Sequence, residues 1–253
     1  MSGYQAFAAF YDRLTRDVNY PKRAEYILSV FKRHHSKGKL KVLLDLACGT
    51  GSIAVELAAR GFEIIGVDSS VEMLSIASAK ASDAGLPLML VCQDMRGLDL
   101  YGTVDGAVCL LDSLNHLCST RELAEVFKRL FLFVKPGGLL VFDVNTKHKH
   151  HNVLGDNSFV FEEEDFVCIW RNRLNKRTCE VDMQLDFFVK TGDCYIRLTD
   201  RLCERAYSLD TIRRLLSVAG FETLVVYDDL SFDPVRDDSE RAVFVARRII
   251  EKR

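Results

Sequence analysis

The first 150 residues alternate between short apolar segments and longer amphipathic ones. Most of the longer segments repeat apolar residues every three or four positions, as amphipathic helices do. Strands that are apolar on both faces and alternate with helices predict a doubly wound α/β fold with a mostly parallel sheet. Five segments have the length and composition of such strands: KVLLDLA, FEIIGVD, LPLMLVC, VDGAVCL and GGLLVFDVN.

Two further helices are predicted before the first strand. The segment YQAFAAFYDRL places Tyr4, Phe7, Tyr11 and Leu14 at helical spacing. A second helix is predicted to begin at Pro21, because proline suits the first turn of a helix.

The helix that follows the second strand has a recognisable start. Ser69 and Glu72 have the spacing of a capping box, so Ser69 is the expected N-cap.

The pattern changes after about residue 150. CEVDMQLDF and CYIRLTDRLCERAY alternate apolar and polar residues, which predicts antiparallel strands. Residues 151–206 are therefore expected to form a small antiparallel β insertion. After it, SLDTIRRLLSVAG predicts a helix, and two more strands follow: FETLVVYDD and RAVFVARRI.

Turn geometry suggests a register for this insertion. If residues 191–192 form the turn, Asp186 faces Arg197 across the ladder, a favourable pair of opposite charges. Arg205 then lies opposite Thr178 and lacks an acidic partner, which makes it a candidate for an anionic ligand.

Composition narrows the class of protein further. The chain has 253 residues, is 48% hydrophobic and has a net charge of -2, so its charge gives no reason to expect a nucleic acid or an anionic membrane as partner. Its eight cysteines include no C-x-x-C pair, which is typical of free thiols in a reducing cytoplasm. The basic clusters Lys32–Lys41 and Lys147–His151 are interpreted as solvated loops, and no metal site is predicted.

The stretch LDLACGTG carries the first sign of a ligand site. Gly49 and Gly51 follow a strand and open a helix, where backbone can approach a small molecule. Asp68 ends the next strand and could accept hydrogen bonds from a ribose diol. The turn alone also fits a dinucleotide site, but Asp45 just upstream would repel a pyrophosphate and suits a cationic ligand.

Four segments in this order resemble the class I S-adenosylmethionine-dependent methyltransferases, over residues 41–145. The segments are LDLACGTG, GVDSSVEML, CQDM and LFLFVKPGGLLVFDVN. The resemblance implies a seven-stranded Rossmann-like sheet, with 41–150 and 207–253 as the domain that binds S-adenosyl-L-methionine. The product would be S-adenosyl-L-homocysteine.

The resemblance also implies roles for individual residues. Asp45 would meet the amino group of the cofactor, Asp68 the ribose hydroxyls, and Asp94 and Met95 the adenine. Helix or turn capping is the alternative for Asp68 and Asp94, and core packing is the alternative for Met73 and Met95. The remaining residues expected at the cofactor site are Tyr11, Tyr20, Ala47, Gly49, Gly51, Ser69, Met73 and Leu110.

The loop CLLDSLNHL resembles the corresponding loop of small-molecule N-methyltransferases. His116 is the candidate base, since a free imidazole titrates near ~6.5, and Asn115 is a candidate substrate contact. The alternative for His116 is a capping or packing role. The N/D-P-P-Y/F motif of enzymes that methylate nucleobases or amides is absent.

Two segments outside the cofactor domain also resemble parts of the same enzymes. Residues 1–40 resemble a helical lid in which tyrosines approach the sulfonium, so Tyr11 is a second catalytic candidate. The insertion is where such enzymes contact their substrates, and Trp170 and Arg205 are the candidates there. Core packing is the alternative for Tyr11 and Trp170, and surface ion pairing is the alternative for the neighbouring Arg197 and Arg201.

These features predict a cytoplasmic methyltransferase that acts on a small molecule, with nitrogen favoured over oxygen as acceptor. Two alternatives remain open at this point. One is an NAD(P)-dependent oxidoreductase, which Asp45 and the absence of a Tyr-x-x-x-Lys pair disfavour. The other is a non-catalytic protein that binds the cofactor as a sensor or partner subunit.

Overall fold

The computed structural model of the protein describes residues 5–35 and 40–250, so Tyr4 lies outside the described residues. The helices are α1 (Gln5–Leu14), α2 (Tyr20–His34), α3 (Ser52–Ala59), α4 (Val71–Asp83), α5 (Thr120–Phe133), α6 (Lys147–Lys149) and α7 (Leu209–Val218). The strands are β1 (Val42–Leu46), β2 (Glu63–Asp68), β3 (Leu88–Cys92), β4 (Val104–Cys109), β5 (Val134–Asn145), β6 (Ser158–Glu162), β7 (Phe166–Asn175), β8 (Glu180–Thr191), β9 (Cys194–Arg205), β10 (Phe221–Asp228) and β11 (Arg241–Arg248).

Seven strands form the central sheet, in the order β3-β2-β1-β4-β5-β11-β10. The first five pair in parallel, and β11 is antiparallel to both of its neighbours. This confirms the predicted doubly wound, mostly parallel sheet. Because the parallel strands share a direction, the residues that follow them meet at one edge.

Helices cover both faces of the sheet because each strand is apolar on both sides. Leu43 of β1 packs in one buried cluster with Phe31 of α2 and Leu57 of α3. Its neighbour Leu44 points the other way and packs in a second cluster with Phe127 of α5. This alternation explains why β1 appears in the sequence as an unbroken apolar run.

The insertion forms a separate four-stranded antiparallel sheet in the order β6-β7-β8-β9, here called the cap. Its buried face has its own core, and α1 completes that core. Phe10 of α1 lies with its ring centroid 4.7 Å from Phe166 and 5.2 Å from Phe187. The N-terminal helix therefore packs on the cap.

The predicted register of the β8–β9 hairpin is wrong by two residues. Thr191 pairs with Cys194, so Gly192 and Asp193 form the turn, and Gly192 has a φ of 61°. A shift of two residues keeps every side chain on its face, which is why the alternation alone could not exclude it. Arg205 consequently lies opposite Glu180 and does have an acidic partner.

The basic cluster Lys147–His151 is not a solvated loop. Thr146 caps α6 by accepting from the backbone N–H of Lys149, and a π-helical turn continues over His150–Leu154. His150 is fully buried there. In the described part of the chain, no helix combines the length and apolar character needed to cross a membrane.

The stacking of Phe10 on the cap predicts a measurable stabilisation. Phe10→Ala should lower the free energy of unfolding by about 2 kcal/mol, because it leaves a cavity between α1 and the cap. It should also expose α1 to proteases. Urea unfolding and limited proteolysis check this, with Leu132→Ala on the exposed side of α5 as control. Equal stability of the two variants would contradict the packing role.

Candidate active site

A cleft runs along the sheet edge where β1, β2 and β4 end. Its main cavity has a volume of about 370 Å³, and a second cavity of about 170 Å³ adjoins it. The main-sheet loops form the floor, and α1 and the cap form the roof. Predicted residues that line the main cavity are Tyr11, Ala47, Gly49, Asp68, Ser69, Met73, Met95, His116 and Trp170.

The turn after β1 is built around left-handed backbone. Ala47 and Gly49 have φ values of 58° and 53°, and the N–H of Gly49 donates to Asp68 Oδ2 at 2.9 Å. The N–H of Ser70 donates to the other oxygen of Asp68 at 2.9 Å. The turn and the end of β2 therefore hold the Asp68 carboxylate at the cleft.

The structure places Gly51 at a contact between helices and not at the three cavities of the cleft. Its φ is 75°. A Cβ at this position would lie 2.7 Å from the Cβ of Ala77 on α4. Close packing of α3 against α4 explains this glycine.

The N-cap of α4 is Ser70 and not Ser69. The Oγ of Ser70 accepts from the N–H of Met73 at 3.1 Å and lies 2.9 Å from a carboxylate oxygen of Glu72. The expected capping box does not form, because the third residue after Ser70 is Met73 and not a glutamate. Ser69 is left to line both larger cavities.

Asp45 is a buried carboxyl group with a strongly raised pKa. The residue is 3% exposed, and its Oδ2 has no hydrogen-bond partner in the described part of the chain. Burial, followed by the charge of Asp68, raises the pKa of Asp45 to about 7. Its carboxylate borders a small third cavity, which a cationic group of suitable size would satisfy.

Two tyrosines and Leu110 share that third cavity with Asp45. The hydroxyl of Tyr20 lies 2.9 Å from Oγ1 of Thr15. Burial raises the pKa of Tyr11 and of Tyr20, so both remain neutral hydroxyls at physiological pH.

Asp94 lies at the second cavity with Met95. Its carboxylate accepts from the backbone N–H of Arg96 at 2.8 Å and pairs with the guanidinium of the same residue. Hydrogen bonding to the Arg96 side chain, followed by burial that acts in the opposite sense, leaves the pKa of Asp94 lowered. Asp94 therefore caps the turn after β3, as the alternative predicted, and it also lies at the cleft.

A buried ion network that sequence reasoning missed holds the loop after β4. Asp143 is fully buried, and Arg241 donates to it at 2.5 Å and to Asp112 at 2.8 Å. The backbone N–H groups of Leu111 and Asp112 also donate to Asp143, at 3.0 and 2.7 Å. In the sequence, this network is indicated by a single aspartate, Asp143, within the apolar run LLVFDVN.

The same loop is strained. Leu111 and Asp112 both have a φ of 56°, which is unfavourable for residues with a Cβ. Although burial opposes ionisation, the nearby Arg241 and Lys149 hold the pKa of Asp112 well below its usual range. Asp112 therefore faces the cavity as a paired carboxylate.

The cap side of the main cavity is mostly apolar. Trp170 lies between cavity and cap core, since its ring also packs edge-on against Phe159 with centroids 5.6 Å apart. This mostly apolar part of the main cavity is here called the acceptor chamber. Besides Trp170, its apolar side chains come from α1 and the cap: Phe7, Leu14, Met183, Leu185 and Leu202.

His116 lies at the polar floor of this chamber. Its Nδ1 is 3.3 Å from the carbonyl oxygen of Cys203 on β9. Glu204, the next residue of β9, lines the chamber too, with Oε1 3.9 Å from Nε2 of His116. The sequence did not identify Glu204, because it occupies an ordinary alternating position of a strand.

Asn115 and Arg205 do not line the cavities, contrary to expectation. Asn115 is fully buried and connects backbone groups: it donates to the carbonyl of Arg205 at 3.0 Å and accepts from the N–H of Asn145 at 2.9 Å. The guanidinium of Arg205 donates to the carbonyl of Cys118 and lies 3.7 Å from Glu180. Both residues join the loop after β4 to the cap.

The raised pKa of Asp45 predicts a pH-dependent stability. Its folded pKa of about 7 exceeds the ordinary 3.8, so its contribution to stability is fully present below about pH 4 and is lost as the pH rises through 7. In the absence of ligand, Asp45→Asn should therefore be more stable than wild type at pH 8, by up to ~4 kcal/mol.

Urea unfolding between pH 4.5 and 8 measures that difference. The difference in free energy of unfolding between Asp45→Asn and wild type should become steadily smaller as the pH falls. Asp83→Asn, an exposed change at the end of α4, is the matched control. A difference that does not vary with pH would show that burial does not perturb Asp45.

Comparisons with known proteins identify the family. A methyltransferase-domain family model matches residues 43–138. YqeM of Bacillus subtilis (strain 168), a protein of the methyltransferase family, is 35% identical over 246 residues, which is 97% of each chain. The crystal structure of an S-adenosylmethionine-dependent methyltransferase from Clostridium acetobutylicum ATCC 824 has a TM-score of 0.87 and 32% identity, covering 97% of this chain and 99% of that one.

A relative with a stated acceptor is more distant. The glycine/sarcosine N-methyltransferase of Aphanothece halophytica is 26% identical over 88% of this chain and 81% of its own length. Together these similarities exclude the dinucleotide oxidoreductase that the glycine turn alone left open, and they make S-adenosylmethionine the cofactor. The chain belongs to the class I S-adenosylmethionine-dependent methyltransferases.

Proposed function

We propose that this enzyme methylates a nitrogen atom of a small molecule bound in the acceptor chamber. The observation that carries the proposal is the position of His116, on the floor of an apolar chamber that opens directly into the cofactor cleft. A base at this point serves an acceptor that must lose a proton before it attacks, as a protonated amine must.

The cleft suits the cofactor in charge and in shape. Among the residues that the structure describes, none is a hydrogen-bond partner for Oδ2 of Asp45, and the ammonium group of the cofactor would satisfy this oxygen. Asp68 keeps lone pairs free beside its two backbone hydrogen bonds, so it can also accept from ribose hydroxyls. Met73 and Met95 would provide apolar contacts for the rest of the molecule.

When bound, the cofactor supplies an electrophilic methyl group on a sulfonium. The chain contributes alignment and exclusion of water, which together can account for several kcal/mol of the barrier. Tyr11 lines both the cleft and the acceptor chamber, so its ring and neutral hydroxyl would contact both ligands.

The N-terminal helices and the cap would enclose the acceptor. We assign residues 1–40 to a lid, 41–150 with 207–253 to the cofactor domain, and 151–206 to the substrate cap. The contact of Phe10 with Phe166 and Phe187 supports movement of lid and cap as one unit.

Nitrogen is favoured over oxygen for two reasons. The chamber places carboxylates and an imidazole near the acceptor position, which suits a cationic amine. The Aphanothece halophytica relative is a glycine/sarcosine N-methyltransferase, although at 26% identity. The apolar chamber walls favour an amine that carries an apolar body.

The cofactor site can be tested by isothermal titration. S-adenosylmethionine and S-adenosylhomocysteine should bind, and Asp68→Ala should weaken both by roughly tenfold or more, because hydrogen bonds to a charged group are lost. Asp83→Ala, which changes an exposed carboxylate on α4, should bind like wild type. Equal affinities in the two variants would remove Asp68 from the site.

The acceptor atom can be tested by transfer of a labelled methyl group. Pairs of amines and alcohols on the same skeleton should be labelled at nitrogen only, and His116→Gln should slow the reaction by about 10²-fold because the base is lost. Cofactor affinity should be unchanged in that variant. Labelling of the alcohols alone would overturn the proposal.

A further inference from the structure

Hydrogen bonding fixes the tautomer of His116. Its Nδ1 lies 3.3 Å from the carbonyl oxygen of Cys203, which can only accept. Nδ1 therefore carries the hydrogen, and the lone pair of the neutral ring is on Nε2. That lone pair is 3.9 Å from Oε1 of Glu204.

Glu204 is held at its other oxygen. Asn145 donates from Nδ2 to Oε2 at 3.0 Å, and Nε2 of His150 lies 3.3 Å from the same oxygen. His150 is itself fully buried, with Nδ1 donating to the carbonyl of Cys179 at 3.0 Å. Within residues 5–35 and 40–250, Oε1 makes no hydrogen bond, although Glu204 lines the chamber.

Nε2 of His116 and Oε1 of Glu204 thus border the same space 3.9 Å apart, and no described residue donates to both. A single nitrogen could lie about 2.8 Å from each and donate to both. A hydroxyl offers only one hydrogen and no charge, so it would leave one acceptor unpaired. An ammonium group offers three hydrogens and the opposite charge.

The surrounding charges leave this position favourable for a cation. Asp112 faces it from the loop after β4 and is paired with Arg241 of β11. Lys149 of α6 lines the same cavity and lowers the pKa of Asp112. His150 contacts Glu204 from behind. None of these donors reaches Oε1 of Glu204 within the described residues.

We propose that Glu204 and His116 form one subsite for a protonated amine, in which Glu204 binds the ammonium and His116 accepts its proton. This rests on the proposed function and names the class of acceptor. One N–H bond of the ammonium breaks and an Nε2–H bond forms, which yields a neutral amine and an imidazolium. The nitrogen lone pair is then free for attack, and Glu204 stabilises the imidazolium. Glu204 also acts as a positioning residue for the base.

A matched pair of ligands tests the subsite without turnover. Benzylammonium and benzyl alcohol share an apolar ring that suits the chamber walls, but only the first carries a charge at pH 7. With protein saturated with S-adenosylhomocysteine, benzylammonium should bind roughly fivefold tighter or more, as expected for one desolvated ion pair. Equal binding, or no binding of either ligand, would overturn the proposal.

Variants assign that preference to Glu204. In Glu204→Gln the preference for benzylammonium should disappear, whereas Glu204→Asp should retain part of it because the charge remains. Glu180→Gln removes a carboxylate from the same sheet outside the chamber and should keep the full preference. An undiminished preference in a folded Glu204→Gln protein would refute the assignment.

NMR of the labelled imidazole gives an independent readout. The ¹⁵N shifts of neutral His116 should report hydrogen on Nδ1. Hydrogen on Nε2 instead would overturn the proposal, because that nitrogen would then have no lone pair to accept the proton of the ammonium. Since neither measurement uses methyl transfer, failure of this subsite and failure of the proposed acceptor chemistry can be told apart.

Discussion

One buried carboxylate organises the edge of the sheet where the site forms. Asp143 accepts from two backbone N–H groups of the loop after β4 and pairs with Arg241. Arg23 of α2 lies 3.6 Å from it on another side. Because leaving such a charge unpaired costs about 3–5 kcal/mol, the strands, α2 and the loop are favoured in the arrangement that pairs it. That arrangement holds Leu111 and Asp112 in left-handed backbone and directs the loop toward the cleft.

The site that results has more negative charge than it can neutralise internally. Asp45 and Asp68 repel each other, and this repulsion contributes to the raised pKa of Asp45. Asp112 is neutralised by Arg241, but Glu204 presents an oxygen to the chamber. Uncompensated carboxylates in an enclosed cleft favour cationic ligands, since these relieve the repulsion on binding. In the function that we propose, a sulfonium cofactor with an ammonium group would meet this requirement at one end of the cleft, and a protonated amine would meet it at the other.

The sequence predicted the fold because its signals were local and repeated. Apolar runs, glycine turns and caps each act within a few residues, and they all indicated the same alternation of strands and helices. The predictions were wrong where two local structures fitted the same sequence pattern equally well. Ser69 and Ser70 can both cap α4, and a register shift of two residues keeps both faces of β9 intact.

Residues at the site were predictable only where a motif marks them. Asp45 and Gly49 lie in the segment LDLACGTG and Asp68 lies in GVDSSVEML, and the structure brings all three together at the cleft. Arg241 and Glu204 reach the site from strands far along the chain, and no spacing rule connects them to it. Gly51 was assigned to the ligand because a glycine can serve either a ligand or a helix contact, and only the position of Ala77 distinguishes the two.

Strand β9 contacts the loop that carries His116 and also forms part of the chamber wall. Its residues Cys203, Glu204 and Arg205 contact the loop of Asn115 and His116 through two carbonyls and one carboxylate. The His116 ring is therefore held in part by backbone, which substitutions of cap side chains leave in place. The chamber walls are side chains of β7, β8 and β9, such as Trp170 and Met183. If His116 is the base that we propose, different acceptors would be accommodated above it by changes in the cap side chains alone.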